Sequence, residues 1–185
     1  AAVRQDIGRS IAFHERALER LARQARQLIA GDPLWQERFE QLDSIPGIAP
    51  TSAIAILAEL ALLSPDRDVR QWVAAAGLDP REHSSGTSVH KKTRISKAGN
   101  RHLRRALYMP ALVAVQHDPH LRAFYQHLLD NGKEKLQALV AVMRKLLHAI
   151  FGMFQHHQSY DGSMLYRIPQ LDTRIAPLVS PLEVA

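Results

Sequence analysis

Cysteine is absent from the 185 residues. That excludes a disulfide scaffold, thiol catalysis and any cysteine-ligated zinc finger, and it suits a reducing compartment. No apolar run approaches the ~20 residues that cross a bilayer. The N-terminus, Ala1-Ala2-Val3-Arg4-Gln5-Asp6, has no apolar segment after its single basic residue and is not a signal peptide. It also lacks methionine and starts inside a helical pattern, which reads as a piece cut from something longer. Internal repeats are missing too. Acidic residues are absent where it matters most. From His90 to Arg105 the chain carries Lys91, Lys92, Arg94, Lys97, Arg101, Arg104 and Arg105 with no Asp or Glu between them.

What is present is enough apolar material, 46% of residues, for a real core without staples. The formal charge is +6 and the isoelectric point about 10.0. A basic balance gathered into one acid-free run is what a phosphate backbone requires of its partner.

The periodicity is helical over most of the chain, and the expected class is all-α. Ile7, Ile11, His14, Leu18, Leu21, Ala25 and Leu28 follow a four-three spacing, flanked by Arg4, Arg9, Glu15, Arg16, Glu19, Arg20 and Arg23. This is either a coiled-coil seam or an amphipathic helix lying on the domain. Asp32-Pro33 caps and starts the next helix, which carries Leu34, Trp35, Phe39 and Leu42. A turn at Ser44-Ile45-Pro46-Gly47-Ile48 leads to an apolar helix over 52–63, and a further helix over 69–76 stops at Gly77. Residues 78–95 lack helical period, and Val89 and Ile95 suggest a small hairpin with His90–Thr93 at its tip. Asn100 caps a helix that Pro110 should kink. Asp118-Pro119 opens another, ending at Asn131-Gly132. A last long helix over 134–154 should bury Leu136, Leu139, Val140, Met143, Leu147, Ile150 and Phe151, leaving Arg144 and Lys145 solvated. Beyond Tyr160 the pattern dissolves among Pro169, Pro177 and Pro181. The organisation expected is a helical arm over 1–41, a domain over 42–168 and a loose tail over 169–185.

Two segments suggest chemistry. The turn with Pro46 and Gly47, followed by a small-residue helix, reads as a helix-hairpin-helix, whose backbone N–H groups meet a nucleic-acid phosphate without reading sequence. Ala49 stands where a second glycine is usual, and a plain αα-corner is the other reading. Arg81-Glu82-His83-Ser84-Ser85-Gly86-Thr87-Ser88 is the second. A serine hydroxyl needs a base to become a nucleophile, and attack on a phosphodiester builds charge that nearby Arg and Lys stabilise. Ser-Ser-Gly is also a common turn, and His83 is the adjoining base candidate. The ten histidines show no metal-binding spacing, and His156-His157 falls near a helix end. Glu59, Asp66, Asp68, Asp79 and Glu82 read as exposed charges, and Trp35 and Trp72 as core.

The order of several motifs carries a resemblance. Ser44-Ile45-Pro46-Gly47-Ile48, Ala76-Gly77-Leu78-Asp79-Pro80 and Ser84-Ser85-Gly86 come first, followed by Arg94-Ile95-Ser96-Lys97-Ala98-Gly99-Asn100-Arg101-His102-Leu103-Arg104. Asp118-Pro119, Phe124-Tyr125, Gly132-Lys133 and Arg144-Lys145-Leu146-Leu147 follow in order. Over about 42–160 the chain resembles the C-terminal transposase domain of the IS-one-ten family, the DEDD-type insertion-sequence transposases related to the Piv and MooV DNA invertases. The resemblance implies a longer protein with an N-terminal RuvC-like domain holding divalent metal (Mg), then a coiled-coil arm, then this domain. No cofactor is implied in this chain itself, and alone it would be inactive. The resemblance further implies DNA and a guide (bridge) RNA as partners, a homo-oligomer formed through the arm, and a cytoplasmic, DNA-associated protein without a membrane. The family's Ser-Gly pair falls on Ser85-Gly86, making Ser85 the nucleophile of a phosphoserine intermediate and Ser84 the fallback. Nucleic acid is expected at Pro46, Gly47, Lys91, Lys92, Arg94, Lys97, Arg101, Arg104 and Arg105. The competing functional readings are a non-catalytic helix-hairpin-helix DNA-binding module and a bare oligomerisation arm.

Overall fold

The structure, a computed structural model, describes residues 2–85 and 89–168, and for residues 2 and 81–94 the backbone alone. The all-α class expected from the sequence is the class observed. Among the described residues there are seven α-helices: α1 (Ala2–Ala30), α2 (Pro33–Asp43), α3 (Pro50–Leu60), α4 (Val69–Ala76), α5 (Arg101–His117), α6 (Pro119–Asp130) and α7 (Lys135–His156). One antiparallel hairpin, β1 (Pro80–Ser85) and β2 (Val89–Ile95), is inserted between α4 and α5.

Local chemistry explains the boundaries. Asp32 accepts from the amides of Leu34 and Trp35, and Pro33 fills the first helical position of α2, where no N–H is needed. Asp68 and Gln71 form a reciprocal capping box on α4. Asn100 accepts from His102 and Leu103 at the start of α5, and Asp118 does the same for α6 through His120 and Leu121. Helix α5 continues from Arg101 to His117 through Pro110, which lies buried inside it.

Helix α7 is the axis of the core. Leu139, Val142, Met143, Leu146, Leu147 and Ile150 bury one face of it against α2, α4, α5 and α6. Burial of that face corrects two expectations. Leu136 stays 62% exposed, because it lies in the first turn beyond the packed stripe. Lys145 is half-buried rather than solvated, with its ammonium donating to the Leu165 carbonyl at 2.5 Å and lying over the Phe124 ring. Burial pulls the Lys145 pKa below the usual lysine value. By length and composition alone α7 is also apolar enough to cross a membrane, unlike the sequence reading; here it serves as the core helix.

The segment after α7, where the helical pattern dissolves, is tied down by side-chain contacts. Tyr160 donates its phenol proton to Asp118 at 2.7 Å, and its amide donates to the Ser44 hydroxyl at 3.3 Å. Leu165 and Tyr166 follow, the Tyr166 carbonyl lying 2.9 Å from His120 Nδ1. Burial and the Asp118 carboxylate push the Tyr160 phenol well above its ordinary pKa. The expected tail over 169–185 lies outside the described residues.

Candidate functional site

The hairpin brings together groups that the sequence only listed in order. Ser84 pairs with His90, Ser85 with Val89 and His83 with Lys91, so both serines occupy the tip-proximal end of β1. Lys91, Lys92 and Arg94 stand on the facing strand, and Arg81 lies opposite Arg94. Between Arg81 and His83 the register slips, with three steps on β2 matching two on β1, which is a β-bulge on the basic strand. The expected tip at His90–Thr93 is therefore corrected, since those residues belong to β2. The connection is 86–88, and Gly86, Thr87 and Ser88 lie outside the described residues. So do the side chains of His83, Ser84, Ser85, Lys91, Lys92 and Arg94.

The base of the hairpin is fixed by polar contacts. Ser96 donates its hydroxyl proton to the Asp79 carboxylate, and the Lys97 amide donates to the Gly77 carbonyl at 3.2 Å. Gly77 caps α4 in the left-handed region at φ 64°, and Lys97 holds φ 54°. Asn100 donates to Glu59 at 2.6 Å, pinning the start of α5 to α3. Glu59 and Asp79 were read as exposed loop and helix charges. Both are half-buried and bonded, a pairing that spacing along the chain does not reveal.

The cations divide. Arg104 donates to the Ala76 carbonyl at 2.8 Å, at the negative end of α4, and is half-buried. Lys97, Arg101 and Arg105 are exposed. Arg105 and His102 overlook a cleft of about 390 Å³ between α3 and α5 that also reaches Thr51, Ser52, Glu59 and Met109. This cleft was not anticipated from the sequence, because its walls come from helices some fifty positions apart.

The turn between α2 and α3 packs onto α5. Gly47 has φ 98°, and a Cβ there would sit 2.7 Å from the Ala114 nitrogen and 2.8 Å from the Pro110 oxygen. Pro46 and Gly47 are half-buried, between the buried Ile45 and Ile48. Beyond the turn, the exposed Ala49 gives α3 no side-chain cap, so the helix's first free amides have no side-chain acceptor from that residue. Among the described residues, no group of three or more His, Asp or Glu is placed to hold a metal ion. His157 bonds Glu37 at 2.8 Å.

Comparison with known proteins decides the family. A family model described as the transposase IS116/IS110/IS902 family matches residues 39–126, from α2 through the hairpin into α6. The pilin gene-inverting protein of Moraxella bovis is 33% identical over 146 residues, covering 78% of this chain and 45% of that protein. The chain belongs to the IS116/IS110/IS902 transposase family. A protein of insertion element IS110 from Streptomyces coelicolor is 31% identical over 155 residues, 83% of this chain and 36% of its own length. One from insertion element IS900 of Mycobacterium paratuberculosis is 30% identical over 140 residues, 70% of this chain and 34% of its own. The match thus spans less than half the length of these relatives. In this transposase-family chain the matched span contains both the serine strand and the basic strand, together with the α2–α3 turn.

Proposed function

We propose that this domain takes part in DNA strand exchange, with Ser85 as the attacking nucleophile and the basic hairpin and α5 cations as the phosphate clamp. One observation carries the reading: in a chain of a transposase family, the hairpin register sets Ser84 and Ser85 at one end of β1, facing a strand that bears Lys91, Lys92 and Arg94. In the proposed step the Ser85 oxygen forms a bond to a DNA phosphorus as its proton passes to a base. The P–O bond to the leaving strand breaks, and that strand departs as a hydroxyl after taking up a proton. The cations offset charge on the phosphoryl oxygens. His83, backbone-paired with Lys91, is the nearest base candidate by position.

Duplex DNA is the proposed substrate, a guide RNA a proposed partner and a homo-oligomer through α1 the proposed assembly. Any divalent metal would be held outside the described residues of this chain. The α2–α3 turn contributes to the clamp through Pro46, Gly47 and the start of α3, one turn along from the Arg105 cleft.

Trapping tests the serine. With a recombination-competent preparation and suicide DNA, wild type should yield a serine-linked adduct, and Ser85→Ala should abolish it and recombination by 100-fold or more. Binding of DNA and thermal stability should change little, since one hydroxyl in a loop-proximal strand supports little packing. Ser84→Ala should be milder. An adduct that survives Ser85→Ala but is lost in Ser84→Ala moves the nucleophile by one residue. Full recombination by both variants leaves only the plain DNA-binding reading.

A further inference from the structure

Helix α1 has two unlike long faces. At ~100° per residue, the seam from Ile7 to Leu28 lies along one side of the helix. On the opposite side Arg9, Arg16, Arg20 and Arg23 fall within about 60° of arc, and every position in that arc from 9 to 23 is arginine. All four are exposed. Asp6, Glu15 and Glu19 lie outside the arc. Arg16 and Arg20, four apart, and Arg20 and Arg23, three apart, are like-charged neighbours, each pair costing the helix about 0.2–0.5 kcal/mol.

Glu19, three residues after Arg16 and four before Arg23, offsets part of that cost and leaves the stripe's net charge positive. Among the described residues the stripe's one ion pair is Arg9 with Asp6 at 3.7 Å, both partners more than 70% exposed, which contributes little. Arg16 donates to the Ala12 carbonyl at 3.0 Å, a contact that leaves its charge unneutralised. The chemistry is also selective. The first 90 residues contain no lysine, so every cation of the arm is a guanidinium, the planar fork that meets phosphate with two N–H bonds. The stripe runs about 21 Å, some six base-pair steps of a duplex.

We propose that α1 grips a nucleic-acid phosphate backbone with this arginine face while its apolar seam remains free for a second copy of the chain. The proposal rests on the nucleic-acid reading of the protein and is independent of the serine. It adds a binding surface about 60 residues before the hairpin in sequence and separate from it.

The test uses the whole chain with Arg16, Arg20 and Arg23 changed to Gln, which keeps helix propensity and side-chain length. Binding to a random 30-base-pair DNA duplex and to an RNA hairpin of similar length is titrated against salt. On at least one probe the log–log salt slope should fall by two to three, about 0.9 per lost contact on B-DNA, with low-salt affinity down at least tenfold. The probe that shows the fall identifies the nucleic acid held. Helicity should stay at or slightly above the wild-type value, since the like-charge repulsion is gone, self-association should persist, and an all-Lys version should recover most of the slope but less of the affinity. Unchanged slopes on both probes overturn the stripe while leaving nucleic-acid binding by the hairpin standing, as a Lys91→Gln, Lys92→Gln control would show. Wild-type protein that binds neither probe overturns both readings. Competition by polyglutamate as strong as by either nucleic acid assigns the stripe to an acidic protein and also overturns it.

Discussion

Gly47 was read from the sequence as a residue that lets a phosphate approach the backbone. The structure shows a second demand on it. Its φ of 98° is one that L side chains rarely adopt, and the space a Cβ would need is filled by the backbone of α5. Backbone cannot swing aside as a flexible side chain would. Gly47→Ala should therefore cost about 1–3 kcal/mol for the strained dihedral and a similar amount for overpacking. Against a total of about 5–15 kcal/mol that is a large fraction. Chemical denaturation should show the midpoint falling with little change in slope. A variant as stable as wild type would mean that α2 and α3 move off α5 freely, and the turn would then serve contact with a ligand alone. Gly77→Ala faces a related strain at φ 64°, where it holds the base of the hairpin.

At the scale of elements, most of the helices were legible because their ends are written in side-chain chemistry. Asp32-Pro33, Asn100 and Asp118-Pro119 each satisfy amides that the helix itself cannot, and each falls where the structure starts a helix, while Asp68, read in the sequence as an exposed charge, proves to cap α4 with Gln71. The hairpin was legible only in outline. Strand pairing is non-local, and the partner strand over 80–85 carries no alternating apolar pattern to place the tip. The bonds Asn100–Glu59, Ser96–Asp79 and Tyr160–Asp118 were invisible, because they join residues 41, 17 and 42 positions apart. The serine segment, which reads in the sequence as a loop, and the start of the basic run, which reads as a hairpin tip, are both strands, and their facing arrangement needed the fold.

The seam of α1 bears a prediction at this scale. Ile7, Ile11, Leu18, Leu21 and Leu28 are 53–79% exposed, an apolar strip of the kind that marks an interface. Among the described residues, contacts to the core come at the C-terminal end of the helix, where Ile29 packs on the core and Arg26 stacks over Phe39 at 4.7 Å. Burying each large seam residue against a second copy would contribute about 1.5–3 kcal/mol. The chain should thus self-associate as concentration rises, and Leu18→Glu with Leu21→Glu should leave a folded monomer. Light scattering that finds the unaltered chain monomeric at high concentration removes the seam.

For the whole molecule, the balance of charge with pH is set by where α7 places its polar residues. His148 is half-buried on that helix, beside Arg144 and Lys145. Burial first, then repulsion from those two cations, lowers its pKa below the ordinary 6.5. A base with a depressed folded pKa resists the proton that the unfolded chain accepts. Its contribution to stability is therefore complete above about pH 6.5 and is lost as pH falls through that value toward the folded one. The net charge of +6 grows as histidines take up protons, so acidification also adds repulsion across the protein. These two effects separate by substitution. His148→Gln keeps a polar group of similar reach but cannot be protonated, so it should flatten the fall in melting temperature between pH 7 and 5 while leaving the general charge effect. The same replacement at His156, exposed at the end of α7, removes an equal charge without the burial and should flatten the curve less. Because Tyr160, Lys145 and Leu165 fasten the closing segment to α6 and α7, and Tyr160 reaches Ser44 beside the α2–α3 turn, acid loosening near His148 should also weaken nucleic-acid binding. Melting curves for the two variants that fall in parallel with wild type from pH 7 to 5 would show that His148 does not set the acid limit.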